Sequence, residues 1–176
     1  MEIQRNYTKE DAYQTLNMTN EWIRSSDTKT SILMAFISLL LGCTFKVFNG
    51  ITYIRELGEV DFLAAIIIVF LIGYVCSAGV AIVCSCMSLT ARLKIKNCQS
   101  NSIFYFGNIA NCTKEEYISK TSQISEDDML NDLKEQIEIN ARIAKRKFQC
   151  FNYGLIASMV LFCCAIILLI IVYSVL

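Results

Sequence analysis

The stretch FQCFNYGLIASMVLFCCAIILLIIVYSVL, residues 148–176, contains no acidic or basic side chain. A transmembrane helix needs about 20 apolar residues to cross about 30 Å of hydrocarbon, so this stretch is long enough to span a membrane. Residues 62–91 share the property, and so do residues 30–45, a shorter stretch that ends just before Lys46. The sequence therefore predicts an all-α membrane protein with three transmembrane helices.

These spans divide the chain into alternating polar and apolar segments. The predicted segments are an N-terminal arm (1–28), transmembrane helix 1 (29–48), a loop (49–61), transmembrane helix 2 (62–91), a helical region (92–147) and transmembrane helix 3 (148–176). Basic residues near span ends collect on the cytoplasmic side, and they are abundant in 92–96 and 142–147 but not in the loop. We therefore expect the arm and residues 92–147 to be cytoplasmic, and the loop and the C-terminus to be external.

Helical signals also occur outside the spans. Apolar residues between Thr8 and Arg24 recur at steps of three and four, which predicts an amphipathic helix, either separate from or continuous with the first span. Thr113 followed by Glu116 is a capping-box pattern for a short helix. A weaker version at Ser125 begins a long helix that we expect to continue into the third span, since no helix breaker intervenes. Residues 102–110 are rich in aromatic side chains and interrupted by Gly107, and we interpret them as a packed turn or a short extended piece.

Small residues recur at helical spacing within the spans, and such stripes allow helices to approach closely in lipid. They are Ser31, Ala35, Ser38 and Gly42, then Gly73, Ser77, Ala81 and Ser85, then Gly154 and Ser158. Ordinary packing within one chain and a subunit interface both explain them. The cytoplasmic region is too small for a large core of its own, so it should pack on the arm or on a second copy, and we expect a homo-oligomer.

Composition argues against several classes of function. The 16 basic and 16 acidic side chains cancel, which does not suggest binding to a nucleic-acid polymer; local basic residues suit the lipid bilayer. The chain has no His and no recognisable nucleotide-binding or nucleophile motif, so we expect neither an enzyme nor a cofactor or metal site. The nine Cys residues form no Cys-x-x-Cys pair and are interpreted as structural.

Polar residues that border the spans are the candidates for function. Asp27 and Lys29 precede the first span; Asp27 could be a helix N-cap and Lys29 an interfacial residue that reaches toward headgroups. Gln136, Asn140 and Lys147 fall along one side of the predicted long helix, at steps of four and seven. These three could simply be solvated.

Four ordered elements carry a resemblance to a known family. They are NEWIRSSDTKTSILMAF (20–36), IFYFGNIA (103–110), EEYI (115–118) and DLKEQIEINARIAKRKF (132–148). In this order, and separated by apolar spans, they resemble the transmembrane effector family of bacterial Pycsar defence systems. The likeness covers nearly the whole chain. It departs from the usual pattern at Ser25 and Ser26, where an apolar residue and Ala are expected, and at Thr30, where Ala is expected.

The resemblance implies an effector of anti-phage defence in the bacterial inner membrane. A partner cyclase makes a cyclic pyrimidine mononucleotide on infection, the effector responds, and membrane integrity fails in an abortive infection. The elements of the family that this sequence keeps are Asp27, Thr28 and Lys29, then Phe106 and Gly107, then Gln136, Asn140 and Lys147. Effectors of related cyclic-oligonucleotide defence systems share part of this pattern.

A cyclic nucleotide needs a cation for its phosphate, a flat face for its base and polar groups for the base edge. Lys29 or Lys147 could supply the charge, and Trp22 or Phe106 the face. Gln136, Asn140 or Asp27 could supply the polar edge. The alternative is a constitutive membrane scaffold or anchor that recruits a cytoplasmic partner.

Overall fold

The computed structural model describes residues 7–56, 61–90 and 102–175, and this part of the chain contains helices and no strand. The helices are α1 (Lys9–Glu56), α2 (Asp61–Thr90), α3 (Phe106–Asn111), α4 (Lys114–Gln123) and α5 (Glu126–Val175). The predicted all-α class is therefore confirmed for the described residues.

Helix α1 begins at a reciprocal cap. The Thr8 amide donates to Asp11 Oδ2 at 3.0 Å, and the Asp11 amide donates to Thr8 Oγ1 at 3.3 Å. No proline interrupts the chain, and the helix continues without a break to Glu56, so the predicted arm helix and the first span are one element.

The amphipathic character of the first part of α1 stays a prediction. Helix bounds do not locate a membrane face, so the limits of the external loop stay a prediction as well, and residues 57–60 of that loop lie outside the described residues.

Helix α5 starts where the Ser125 signal predicts. Ser125 Oγ accepts from the Asp128 amide at 3.1 Å and donates to Asp128 Oδ2 at 2.6 Å. Acidic residues fill the first turn, where they complement the positive end of the helix dipole. The helix then runs to Val175, which confirms that the long helix predicted to begin at Ser125 continues through the apolar stretch that follows Lys147.

Two segments of the described chain are long and apolar enough to cross a membrane. They are Ala64–Thr90 in α2 and Glu126–Ser174 in α5. They support a membrane protein, whereas the additional span in α1 stays a prediction. The predicted cytoplasmic region is helical in α3, α4 and the first part of α5, and its residues 92–101 lie outside the described residues.

The chain divides into two compact units. The first, here called the polar unit, comprises residues 1–25 and 91–146; the second, here called the apolar unit, comprises residues 26–90 and 147–176. Helices α1 and α5 each contribute residues to both units. The units are described separately below.

The core of the apolar unit is formed by residues from α1, α2 and α5. Its buried members include Leu33, Ile37, Ala81, Leu161 and Leu168. Helix α5 approaches its neighbours closely at Gly154, where a Cβ atom would lie 3.2 Å from Ser85 Oγ and 3.5 Å from Leu33 Cδ2. Only glycine allows this approach without displacing a neighbour.

The small-residue stripes do not all serve the same purpose. Those of α2 and α5 lie largely inside the apolar unit, where Ser77, Ala81, Ser85 and Ser158 are buried. The stripe of α1, made of Ser31, Ala35, Ser38 and Gly42, is exposed. Packing within the chain therefore explains the second and third stripes but not the first.

The polar unit has few buried apolar residues, namely Ala12, Ile103, Leu133 and Ala144. The predicted capping box is confirmed: the Glu116 amide donates to Thr113 Oγ1 at 3.2 Å, and the Thr113 amide donates to Glu116 Oε2 at 2.9 Å.

The interpretation of residues 102–110 as a turn or extended piece is wrong from Phe106 onward, because Phe106–Asn111 is helix α3. Gly107 does not break this helix; the Tyr105 ring lies over it, and its Cε1 would be 2.6 Å from an added Cβ.

Candidate functional site

A buried lysine lies where the three helices of the apolar unit meet. The Lys147 side chain, on α5, is 7% exposed, and its Nζ lies 2.5 Å from Oδ1 of Asp27 on α1. The same ammonium donates to the Leu89 carbonyl of α2 at 3.3 Å. Lys147 is therefore bonded to both neighbouring helices. Charge-assisted bonds of this kind are stronger than neutral ones.

Hydroxyl groups extend this junction. Ser88 Oγ donates to the Lys147 carbonyl at 3.1 Å and lies 2.9 Å from Thr30 Oγ1, and Thr30 Oγ1 donates to the Ser26 carbonyl at 2.8 Å. Each hydroxyl has one proton to donate, so two protons serve three contacts. One of these hydrogen bonds is therefore shared or unfilled at any moment.

The neighbouring Lys29 behaves differently. It is exposed, and its Nζ lies over the Phe148 ring, 5.5 Å from the centroid, in a cation–π arrangement. Asp27 lies in the middle of α1, which makes its interpretation as a helix N-cap wrong. Its carboxylate is paired with Lys147 instead.

Gln136 belongs to the interior of the polar unit. It is 6% exposed, and its Nε2 donates to Ser102 Oγ at 3.1 Å. The same oxygen accepts from the Phe104 and Tyr105 amides, each at 3.2 Å. One turn earlier on α5, Asp132 Oδ2 accepts from the Ile103 amide at 2.9 Å. Gln136 and Asp132 together fix the segment that leads into α3.

Asn140 joins the two long helices within the polar unit. Its Nδ2 donates to Oδ1 of Asn20 on α1 at 2.8 Å. An amide pair of this kind leaves one carbonyl and further N–H groups for other partners. Asn140 is only half-buried, so these groups are within reach of a ligand.

The two predicted aromatic faces are exposed. Trp22 is 51% exposed and Phe106 is 76% exposed. The Phe106 ring contacts Tyr105, with centroids 4.9 Å apart. By contrast, Phe104 packs edge-on against Tyr13 at 5.9 Å. Trp22 and Phe106 therefore each present a surface that could stack on a flat group.

The structure thus divides the predicted site residues between the units. Trp22, Phe106, Gln136 and Asn140 belong to the polar unit, and Asp27, Lys29 and Lys147 to the apolar unit. Asp27 and Lys147 contact each other directly.

Sequence reasoning did not identify the partners of these residues. Asp132 gave a signal, because it precedes Gln136 by four residues and so lies on the same helix face. Ser88, Asn20 and Ser102 gave none, since each acts through a contact distant in sequence.

The comparisons with known proteins agree with the resemblance. The family model of the Pycsar effector protein domain, PycTM, matches residues 11–174. The Pycsar effector protein GmPycTM of Gulbenkiania mobilis is 30% identical over 174 residues, which cover 88% of this chain and 89% of the relative. The Pycsar effector protein PtPycTM of Propioniciclava tarda is 26% identical over 170 residues, covering 90% and 77% of the two chains. No solved structure matches significantly. Because the family model covers almost the entire chain, this protein belongs to the PycTM family of Pycsar effectors, which are membrane effectors of anti-phage defence.

Proposed function

We propose that this effector is activated by a cyclic nucleotide, most simply a cyclic pyrimidine mononucleotide made by a partner cyclase, and that it then impairs the bacterial inner membrane and causes abortive infection. The observation that carries the proposal is the match to the Pycsar effector family over residues 11–174. The membrane-crossing segments of α2 and α5 support its site of action.

The proposed nucleotide contacts of the polar unit are those that remain accessible. Trp22 and Phe106 offer exposed faces for the base, and the half-buried Asn140 has amide groups left for a base edge. Gln136 is buried and bonded to Ser102, so its proposed contribution is to position the segment before Phe106. The ligand would act without catalysis, and we propose no enzymatic activity, cofactor or metal.

Of the two lysines proposed to bind phosphate, Lys29 is the better candidate. Its side chain is exposed and held only over an aromatic ring in the contacts described above. Lys147 is buried and bonded to Asp27. We therefore propose Lys29 as the phosphate contact and leave the Asp27–Lys147 pair to the helix junction.

We also propose a homo-oligomer with three spans per chain, a cytoplasmic arm and an external C-terminus. The exposed stripe of α1 supports the oligomer, because Ser31, Ala35, Ser38 and Gly42 find no covering helix within the described chain. Small side chains there would let α1 of a second copy approach closely. The proposed partners are thus the bilayer, the cyclic nucleotide and further copies, with no nucleic-acid polymer.

The test is toxicity in cells that carry the effector together with its cyclase. Lys29→Ala and Asn140→Ala should abolish toxicity while the protein still inserts into the membrane, and Lys145→Ala, at an exposed lysine of α5, is the matched control. If both variants stay as toxic as the unaltered protein, the proposed contacts are wrong. If the cyclase makes no difference to toxicity, a constitutive scaffold is favoured instead.

A further inference from the structure

The junction around Lys147 ties α1, α2 and α5 together at a single buried ammonium. We propose that the Asp27–Lys147 pair is a latch that holds the apolar unit in its impermeable arrangement, and that separating the pair lets the bundle open. The term impermeable rests on the proposed function, in which activation compromises the membrane. The latch itself rests on the contacts of this junction.

The two charges of the pair are buried to different extents. The Lys147 side chain is 7% exposed, whereas that of Asp27 is 40% exposed. A buried ammonium is strongly disfavoured unless it is paired, so the closed arrangement depends on Asp27. Asp27 depends much less on Lys147, because solvent or headgroups can reach its carboxylate.

The pair also links different helices. Lys147 is on α5, Asp27 on α1, and the Leu89 carbonyl that also accepts from Lys147 Nζ is on α2. A rotation or slide of any one helix would break at least one of these bonds. Packed interfaces switch between discrete arrangements rather than deforming continuously, which is the behaviour that a latch requires.

The apolar unit also contains buried polar groups that favour opening of its helix bundle. Ser26 Oγ and Ser85 Oγ are buried, and neither has a hydrogen-bond partner among the described residues. A buried hydroxyl without a partner is unfavourable, and it gains hydrogen bonds when water enters. The closed bundle therefore contains both a bond that holds it shut and unsatisfied groups that favour hydration. A ligand can act as a switch when two arrangements are close in free energy.

A single structure does not distinguish a latch from a pair that only contributes to packing. The test therefore compares substitutions of the buried Lys147 and the more exposed Asp27, which should have unequal effects if the pair is a latch. Asp27→Asn removes the negative charge opposite the buried ammonium and leaves it only neutral acceptors, the amide oxygen of the new side chain and the Leu89 carbonyl. Lys147→Met removes the charge and keeps a flexible apolar side chain, and it leaves Asp27 accessible to water. The double variant leaves no unpaired charge. Lys145→Met, at an exposed lysine of the same helix, is the control.

The measurement is basal dye release from proteoliposomes that contain the full chain and no nucleotide. Asp27→Asn should raise the release rate about tenfold, which corresponds to a shift of about 1.4 kcal/mol in the closed–open equilibrium. Lys147→Met should raise it less, by about threefold. The double variant should match Lys147→Met rather than add the two effects. Lys145→Met should not change it.

Equal basal release from Asp27→Asn, Lys147→Met and the unaltered protein would overturn the latch. So would additive effects in the double variant, since they would show that the two side chains act independently. If Asp27→Asn fails to insert, Lys147→Met and the double variant decide, because neither leaves a buried charge unpaired. Failure of the proposed function is distinguishable: the unaltered protein would then ignore every cyclic nucleotide, whereas basal release from the variants would still report on the latch.

Discussion

Different kinds of interaction stabilise the interior of each unit. The apolar unit has a continuous core that includes Ile37, Leu161 and Leu168, and its helices also share the polar junction at Lys147. The polar unit buries few apolar side chains and depends on hydrogen bonds from Asp132, Gln136 and Asn140. In water each such bond contributes only about 1 kcal/mol. The polar unit should therefore be the less stable part of the molecule.

This difference in stability is consistent with the proposed roles of the two units, ligand response for the polar unit and membrane integrity for the apolar unit. A region that must respond to a ligand needs alternative conformations within a few kcal/mol, and local stability is lowest where buried apolar contacts are few. Under the proposed function, the apolar unit instead keeps the membrane sealed until the nucleotide binds. Substitutions that alter one unit at a time test this difference.

The largest effect is expected from Leu133→Ala. Leu133 has no exposed surface, and removing a fully buried leucine side chain costs about 2–5 kcal/mol. Amide hydrogen exchange should speed up across residues 102–146 and stay unchanged in α2. Ile118→Ala, at an exposed position of the same unit, should have little effect. Equal acceleration in α2 would show that the two units do not differ in the way described.

Gly154→Val should destabilise the apolar unit and leave the polar unit unchanged. A Cβ at Gly154 would lie 3.2 Å from Ser85 Oγ and 3.5 Å from Cys84 Cβ, and overpacking of this kind costs about 1–3 kcal/mol. Thermal unfolding in detergent should show a destabilised apolar unit. Gly79→Val is the matched control, because nothing lies within 4 Å of a Cβ at Gly79. If the two variants unfold alike, the close approach at Gly154 is not important for stability.

A smaller, local effect is expected from Thr113→Ala. This change removes the capping box of α4, and loss of such a cap costs about 1 kcal/mol. Exchange should accelerate within Lys114–Gln123 more than in α5. Thr121→Ala is the control, since the Thr121 hydroxyl bonds only to carbonyls of its own helix in the described contacts. The cap would have no role if both variants exchanged alike.

The smallest effect is expected from Cys86→Ala. Cys86 is a free, exposed thiol on α2, and substitutions at such surface positions usually change stability by less than about 0.5 kcal/mol. Unfolding temperature and basal dye release should match those of the unaltered protein. A marked change in either would show that this cysteine has a role that the sequence interpretation did not assign.

Local signals in the sequence predicted the helices well. Thr113 with Glu116 and Ser125 with Asp128 act through neighbours three residues away, and both caps are present. The continuity of α5 followed from the lack of helix breakers, whereas a continuous α1 was one of two alternatives that the sequence left open. The helix at Phe106–Asn111 was missed because Gly107 suggested a break. Gly107 instead leaves room for the ring of Tyr105.

The contacts of the candidate site were harder to predict, because they join residues far apart in the chain. Lys147 and Asp27 were both candidates, but no spacing rule links positions 120 residues apart. Thr30 was noted only as a departure from the family pattern, whereas the structure places its hydroxyl 2.9 Å from Ser88 Oγ. Hydropathy likewise gave no sign that Lys147 is buried, since a basic residue at a span end is normally exposed.

The most direct test of the central claim is nucleotide-dependent dye release from proteoliposomes that contain the purified full-length chain. Cyclic CMP and cyclic UMP would be added in turn, with cyclic AMP and a cyclic dinucleotide for comparison, and binding would be measured on the same preparation. We expect one cyclic nucleotide both to bind and to raise release above the basal rate, and we expect Lys29→Ala to remove both effects. Release that no cyclic nucleotide alters, in protein shown to be folded and inserted, would contradict it.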